Sequence, residues 1–171
     1  FTQGCNFRCP FCHNGSLLAA QASLDTYLSE EELLKFLQTK QGKLDGLVVS
    51  GGEPTIQPDL PSFLAAVKTM GFAVKLDTNG SRPDVLSRLV HEELVDYIAM
   101  DVKAPFGSYA RLAGVDIPKA TIQESIQCIA QSGLPHQFRT TMVEPLLLPS
   151  DIQQIKALIP EGSEHVVQTF H

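Results

Sequence analysis

The chain has 171 residues, enough for one domain with a real core. Its 13 Lys and Arg stand against 19 Asp and Glu, a formal net charge of −6 with the signs interleaved. That excludes a nucleic-acid footprint and a polybasic membrane patch. No apolar run of about 18 residues marks a membrane span, and no basic n-region followed by an apolar h-region marks a signal peptide.

The chain lacks a starting Met. It opens on FTQG, which reads as the tail of a strand, and closes on VVQTFH, which reads as another. The expectation is a single domain over residues 1–171, a fragment of a slightly longer chain.

In chain order, the first motif is CNFRCPFCHN, with Cys5, Cys9 and Cys12 spaced C-x3-C-x2-C. Ser29–Gln41 predicts a helix, with a Ser cap, acids in the first turn and apolar residues at helical spacing. Leu47–Ser50 predicts a short strand buried on both faces. Pro58–Met70 predicts a helix closed by Gly71. Strands then alternate with helices: strand Phe72–Leu76, helix Pro83–Leu94, strand Val95–Val102, helix Pro118–Gln131, strand Gln137–Val143, helix Ser150–Leu158 and strand Val166–Phe170. The alternation means βαβ units and a parallel sheet, hence an α/β fold. With Phe1–Gly4 as the end of a truncated first strand there are six units. Six are too few for a closed eight-stranded barrel, which leaves a doubly wound sheet or an open partial barrel.

In either architecture, ligands gather at the carboxyl ends of the strands. Polar residues cluster there: the cysteines, then Ser50-Gly51-Gly52-Glu53-Pro54, Asp77-Thr78-Asn79-Gly80, Asp101 with Lys103, Arg139, and His171. Three close thiols suit an iron–sulfur cluster with one iron left open, a zinc site, or a Cys9/Cys12 dithiol pair. Zinc needs a fourth ligand, and His13 is awkwardly adjacent to Cys12. Cys128, in an apolar helical pattern, reads as a small buried hydrophobe. His91, His136 and His165 read as surface or capping residues. Gly51 and Gly52 let a backbone approach a ligand closely, and Glu53 can accept from an ammonium group. Asp101 and Lys103 face the same side of a strand, and Arg139 suits a carboxylate.

CNFRCPFCHN followed by SGGEP resembles the radical S-adenosylmethionine superfamily. LDTNG and DYIAMDVKAP extend the likeness to activating enzymes of glycyl radical enzymes, those of anaerobic ribonucleoside-triphosphate reductase first and of pyruvate formate-lyase next. The resemblance covers nearly the whole chain and implies a partial (β/α)6 barrel with parallel strands. It implies that Cys5, Cys9 and Cys12 ligate a [4Fe-4S] cluster whose open iron takes S-adenosylmethionine. Gly51, Gly52 and Glu53 would hold the amino group of that cofactor. Asp101 and Lys103 would meet its nucleoside or carboxylate end, Arg139 its carboxylate, and His171 its ribose. Phe11 and Asn14 would lie beside the cluster and adenine. Asp77 and Thr78 would also help bind a monovalent cation.

The implied activity is reductive cleavage of S-adenosylmethionine to a 5′-deoxyadenosyl radical that takes hydrogen from a glycine of a partner glycyl radical enzyme in the cytoplasm. No ferredoxin-like insert follows Cys12, so one cluster is expected, with a flavodoxin or ferredoxin as electron donor. The loop Ala104–Pro118 is a candidate for receiving the partner's glycine. Two other classes compete: a radical enzyme on a small molecule, of the 7-carboxy-7-deazaguanine synthase kind, and a non-enzymatic metal-binding or electron-transfer module.

Overall fold

A computed structural model describes residues 1–18 and 28–170. Five strands form one parallel sheet in sequential order: β1 (Gly46–Val49), β2 (Ala73–Thr78), β3 (Tyr97–Asp101), β4 (His136–Met142) and β5 (Glu164–Thr169). Helices link them: α1 (Glu30–Gln38) precedes β1, α2 (Leu60–Thr69) and α3 (Pro83–His91) follow β1 and β2, and α4 (Tyr109–Ala113), α5 (Lys119–Gln131) and α6 (Pro149–Lys156) follow in turn. Each strand and helix expected after residue 28 is present. The largest end shifts are three residues, with α1 stopping at Gln38 rather than Gln41 and α3 at His91 rather than Leu94.

Local chemistry sets the helix starts. Ser29 caps α1, its hydroxyl accepting from Glu32 N at 3.2 Å while the Glu32 carboxylate accepts from Ser29 N at 2.9 Å. At the start of α6 the Asp151 carboxylate accepts from Leu148 N at 2.9 Å. No helix among the described residues is long and apolar enough to cross a membrane.

The sheet has two unlike faces. Val74, Leu76, Ile98, Met100 and Phe138 are fully buried and join Leu64 and Val67 of α2, Leu86 and Leu89 of α3, and Ile122, Ile126 and Ile129 of α5 in one core. Each such side chain removed from water stabilises the fold by about 1.5–3 kcal/mol. Residues one step along each strand point the other way. They include Lys75, Asp77, Asp101 and Arg139, all half-buried. Val48 lies in register with Lys75 and is 53% exposed. The strand expected to be buried on both faces is therefore covered on one only, because helices pack a single side of the sheet.

Phe1–Gly4 makes one parallel bridge, Thr2 with Gly51, rather than a full strand. Two of the histidines expected as surface or capping residues are half-buried and hydrogen-bonded. His136 contacts Leu134 O at 2.8 Å and Ser163 Oγ at 2.9 Å, and His165 contacts Thr140 Oγ1 at 2.9 Å. Cys128 is half-buried against the core.

Candidate active site

The amino-terminal segment is laid directly on the end of β1. Thr2 N donates to Ser50 O at 2.7 Å, Gly52 N to Thr2 O at 2.9 Å and Glu53 N to Gly4 O at 2.9 Å. A Cβ at Gly51 would strike the Thr2 backbone, and one at Gly52 would strike the Gly4 carbonyl. The two glycines thus admit the chain's own backbone, where the sequence suggested the approach of a ligand.

The cysteine loop is pinned at its other side. Phe7 is 2% exposed and plugs the core. Arg8 N donates to Ala113 O at 2.8 Å, and Gly114, with φ +70°, leaves no room for a Cβ beside the Arg8 backbone. Helix α4 therefore backs the cysteine loop. It lies within the segment 104–118, which the sequence offered only as a loop for a partner.

The thiols of Cys5, Cys9 and Cys12 line a cavity of about 260 Å³ at the carboxyl ends of the strands. Phe11, Asn14, Gly51, Gly52, Glu53, Asp77, Thr78, Asp101, Lys103 and Arg139 line the same cavity. Every described residue given a cluster or cofactor role from the sequence is there; His171 lies outside the described residues. Burial pushes the Cys5 and Cys9 thiols up, with Lys103 pulling both the other way. Cys5 Sγ accepts from Phe7 N at 3.4 Å and from Asn79 Nδ2 at 3.9 Å.

Among the described residues, no three His, Cys, Asp or Glu side chains converge on a single-ion position. A tetrahedral zinc needs its ligands around one point, whereas a cluster takes one thiolate per iron. Three thiols lining one cavity suit a cluster with one thiolate per iron.

Glu53 is buried at 1% exposure beneath this floor. Its Oε1 accepts from Thr55 N at 3.1 Å, from Thr78 Oγ1 at 2.8 Å and from Thr55 Oγ1, and its Oε2 from Asn79 N at 2.7 Å. Burial pushes its carboxyl up, against the pull of these four donors. The carboxylate thus ties the end of β1 to the end of β2. The Thr78 hydroxyl is likewise engaged, donating to Glu53 and accepting from Gly80 N at 3.1 Å.

Charges alternate across the open face. Arg139 Nε sits 2.9 Å from Asp101 Oδ1, and its Nη1 3.3 Å from Asp77 Oδ2. Lys103 Nζ is 2.9 Å from Asp101 Oδ2. Arg139 is the register partner of Asp101 and reaches Asp77 across β3, where Ala99 is small enough to allow it. Burial alone would push Asp101 up and Lys103 and Arg139 down. The opposite charges outweigh it, holding Asp101 below the usual carboxylate range and raising both cations.

Among the described residues lining the cavity, one buried side-chain atom lacks a hydrogen bond. Asp77 Oδ1 is buried without a hydrogen bond, the Lys75 ammonium lying 3.7 Å away. An ammonium group would suit Asp77, and a carboxylate would suit Lys103 and Arg139. The residues present fit the cluster and the methionyl end of S-adenosylmethionine.

Among the polar lining residues, Thr141 and Gln168 carried no sequence signal, and Asn79 was given no role of its own. Asn79 was hidden inside an Asn-Gly turn signal. Thr141 and Gln168 sit on the open face of β4 and β5, where a neutral polar residue looks like any surface residue. Phe170, just past β5, stacks on His13 with ring centroids 4.4 Å apart and meets Phe11 edge-on at 6.4 Å.

A model of the radical SAM superfamily matches residues 1–168. A Methanocaldococcus jannaschii protein named as a glycyl-radical enzyme activating enzyme is 34% identical over 99% of this chain and 71% of its own length. A 7-carboxy-7-deazaguanine synthase of Hyperthermus butylicus is 29% identical over 77% of this chain and 62% of its own. The crystal structure of Streptococcus suis SuiB bound to S-adenosylmethionine superposes with a TM-score of 0.76. It covers 99% of this chain and 39% of SuiB at 15% identity, a likeness of fold.

Proposed function

The chain belongs to the radical SAM superfamily, and from that premise we propose that it is the core of an activating enzyme for a glycyl radical enzyme. The observation that carries the proposal is one cavity lined by three thiols, an Asp77 oxygen without a hydrogen bond and the cations Lys103 and Arg139.

When bound, a [4Fe-4S] cluster with S-adenosylmethionine would supply one-electron reductive cleavage and, from it, abstraction of a hydrogen atom from a glycine Cα of the partner. The protein binds, orients and excludes water. Cys5, Cys9 and Cys12 would hold the cluster. Asp77 and the main chain of Gly51–Glu53 receive the ammonium; a monovalent cation is the other occupant that suits Asp77 Oδ1. Lys103 and Arg139 receive the carboxylate, with Asp101 holding both cations in place. Glu53 and Thr78 brace the floor from below. Phe11 and Asn14 would lie beside the adenine; His171, outside the described residues, is the residue proposed for the ribose. No side chain is needed as a general acid or base. Electrons come from an external flavodoxin or ferredoxin. An anaerobic ribonucleotide reductase is the first partner to try.

The match to a 7-carboxy-7-deazaguanine synthase favours a second reading, a radical enzyme on a small molecule. Anaerobic reconstitution followed by dithionite and S-adenosylmethionine tests the common chemistry: several irons per chain and 5′-deoxyadenosine are expected. A colourless protein holding one zinc would overturn both readings. A glycyl radical doublet in the partner, seen by electron paramagnetic resonance, separates the first from the second.

A further inference from the structure

Asn79 joins three loops. It is 5% exposed. Its backbone N–H donates to Glu53 Oε2 at 2.7 Å. Its side-chain Oδ1 accepts from Ser81 N at 2.9 Å, and its Nδ2 donates to Asn6 Oδ1 at 2.9 Å. Asn6 is itself oriented by donating from Nδ2 to Ser81 Oγ at 2.7 Å.

These contacts fix which end of the Asn79 amide is which. Ser81 N can only donate, so it must meet the oxygen; Asn6 Oδ1 can only accept, so it must meet the nitrogen. An NH2 group has two hydrogens. One goes to Asn6, and the other goes to Cys5 Sγ at 3.9 Å.

We propose that Asn79 is a positioning residue for the cluster: its side-chain N–H hydrogen-bonds the Cys5 thiolate and raises the cluster's reduction potential. The inference rests on the reading that Cys5 ligates a cluster. A reduced cluster carries one more negative charge than an oxidised one. A fixed N–H dipole aimed at a ligand sulfur therefore favours the reduced form, and hydrogen bonds to the sulfurs are among the factors that set such potentials. The turn alone does not require Asn here, since a Ser hydroxyl also accepts from the amide two residues on. What Ser lacks is the reach to Cys5.

The test is an anaerobic redox titration of the reconstituted protein, read by its optical spectrum and by electron paramagnetic resonance. Asn79→Ser keeps the turn and loses the N–H to sulfur. Ser81→Ala loosens the same hydrogen-bond chain without touching the sulfur. With equal iron content, Asn79→Ser is expected to titrate at a more negative potential, about tenfold less reduced at the wild-type midpoint, or 59 mV for one electron. Ser81→Ala is expected to follow the wild type. The inference is overturned if Asn79→Ser titrates with the wild type, or if Ser81→Ala shifts as far. A wild-type chain that takes up no cluster overturns instead the reading beneath it.

Discussion

Glu53 shows how far a residue's address can differ from its use. Its place after a strand and two glycines marks it from sequence alone. Its use depends on four donors from Thr55, Thr78 and Asn79, which only the folded chain brings together. Hydrogen bonds to a charged group contribute about 1.5–3 kcal/mol each, and turning one oxygen into an NH2 sets donor against donor. Glu53→Gln is therefore expected to lower stability by about 3 kcal/mol, read from the urea midpoint. Asp77→Asn tests the opposite kind of residue. It keeps most of the fold, and S-adenosylmethionine affinity is expected to fall tenfold or more, about 1.4 kcal/mol, by equilibrium binding. Asp101 carries the pH dependence. A carboxyl whose pKa is depressed by folding adds stability above its unfolded value of about 4, and that stability is lost as pH falls through the folded value. Wild type is expected to lose stability more steeply than Asp101→Asn below about pH 4, by thermal melts across pH. The charged residues were legible because charge at a buried strand end is costly unless it is paired or used. Asn79 was not, because a neutral turn residue carries no such penalty.

At the scale of elements, the alternation of strands and helices was legible because turn residues punctuate it and the helices are long enough to show their period. Two elements were not. Helix α4 has five residues, too few for a period, and only Gly114 marks its end. Strand β1 has four, and GLVV is apolar whichever way it faces, so Val48 gave no sign of lying open. Helix α4 matters because its end supports the cysteine loop. A left-handed residue with a Cβ costs about 1–2 kcal/mol even in open space, and at Gly114 the Arg8 backbone is in the way. Gly114→Ala is expected to displace the loop and cut iron uptake at least severalfold in limiting-iron reconstitution. Gly107→Ala in the same segment, which meets nothing within 4 Å, is expected to load as wild type.

Across the whole molecule, one helix-covered face supplies the core and one open face supplies the chemistry. The sequence carried both, since buried and half-buried residues alternate along β2 and β4. It did not say that the first strand contributes a single bridge, because pairing depends on a partner rather than on composition. Amide exchange is expected to be slowest in β2, β3 and β4, which are flanked on both sides, and faster in β1 and in residues 5–14. The Glu53 carboxylate has a larger consequence. It couples the ends of β1 and β2, and Asn79 passes that coupling to Asn6 and Cys5. The conformational entropy of ordering three loops is thus lost during folding, before any cofactor arrives. Capture of cluster and cofactor then meets a preorganised receptor, with little induced fit left to perform.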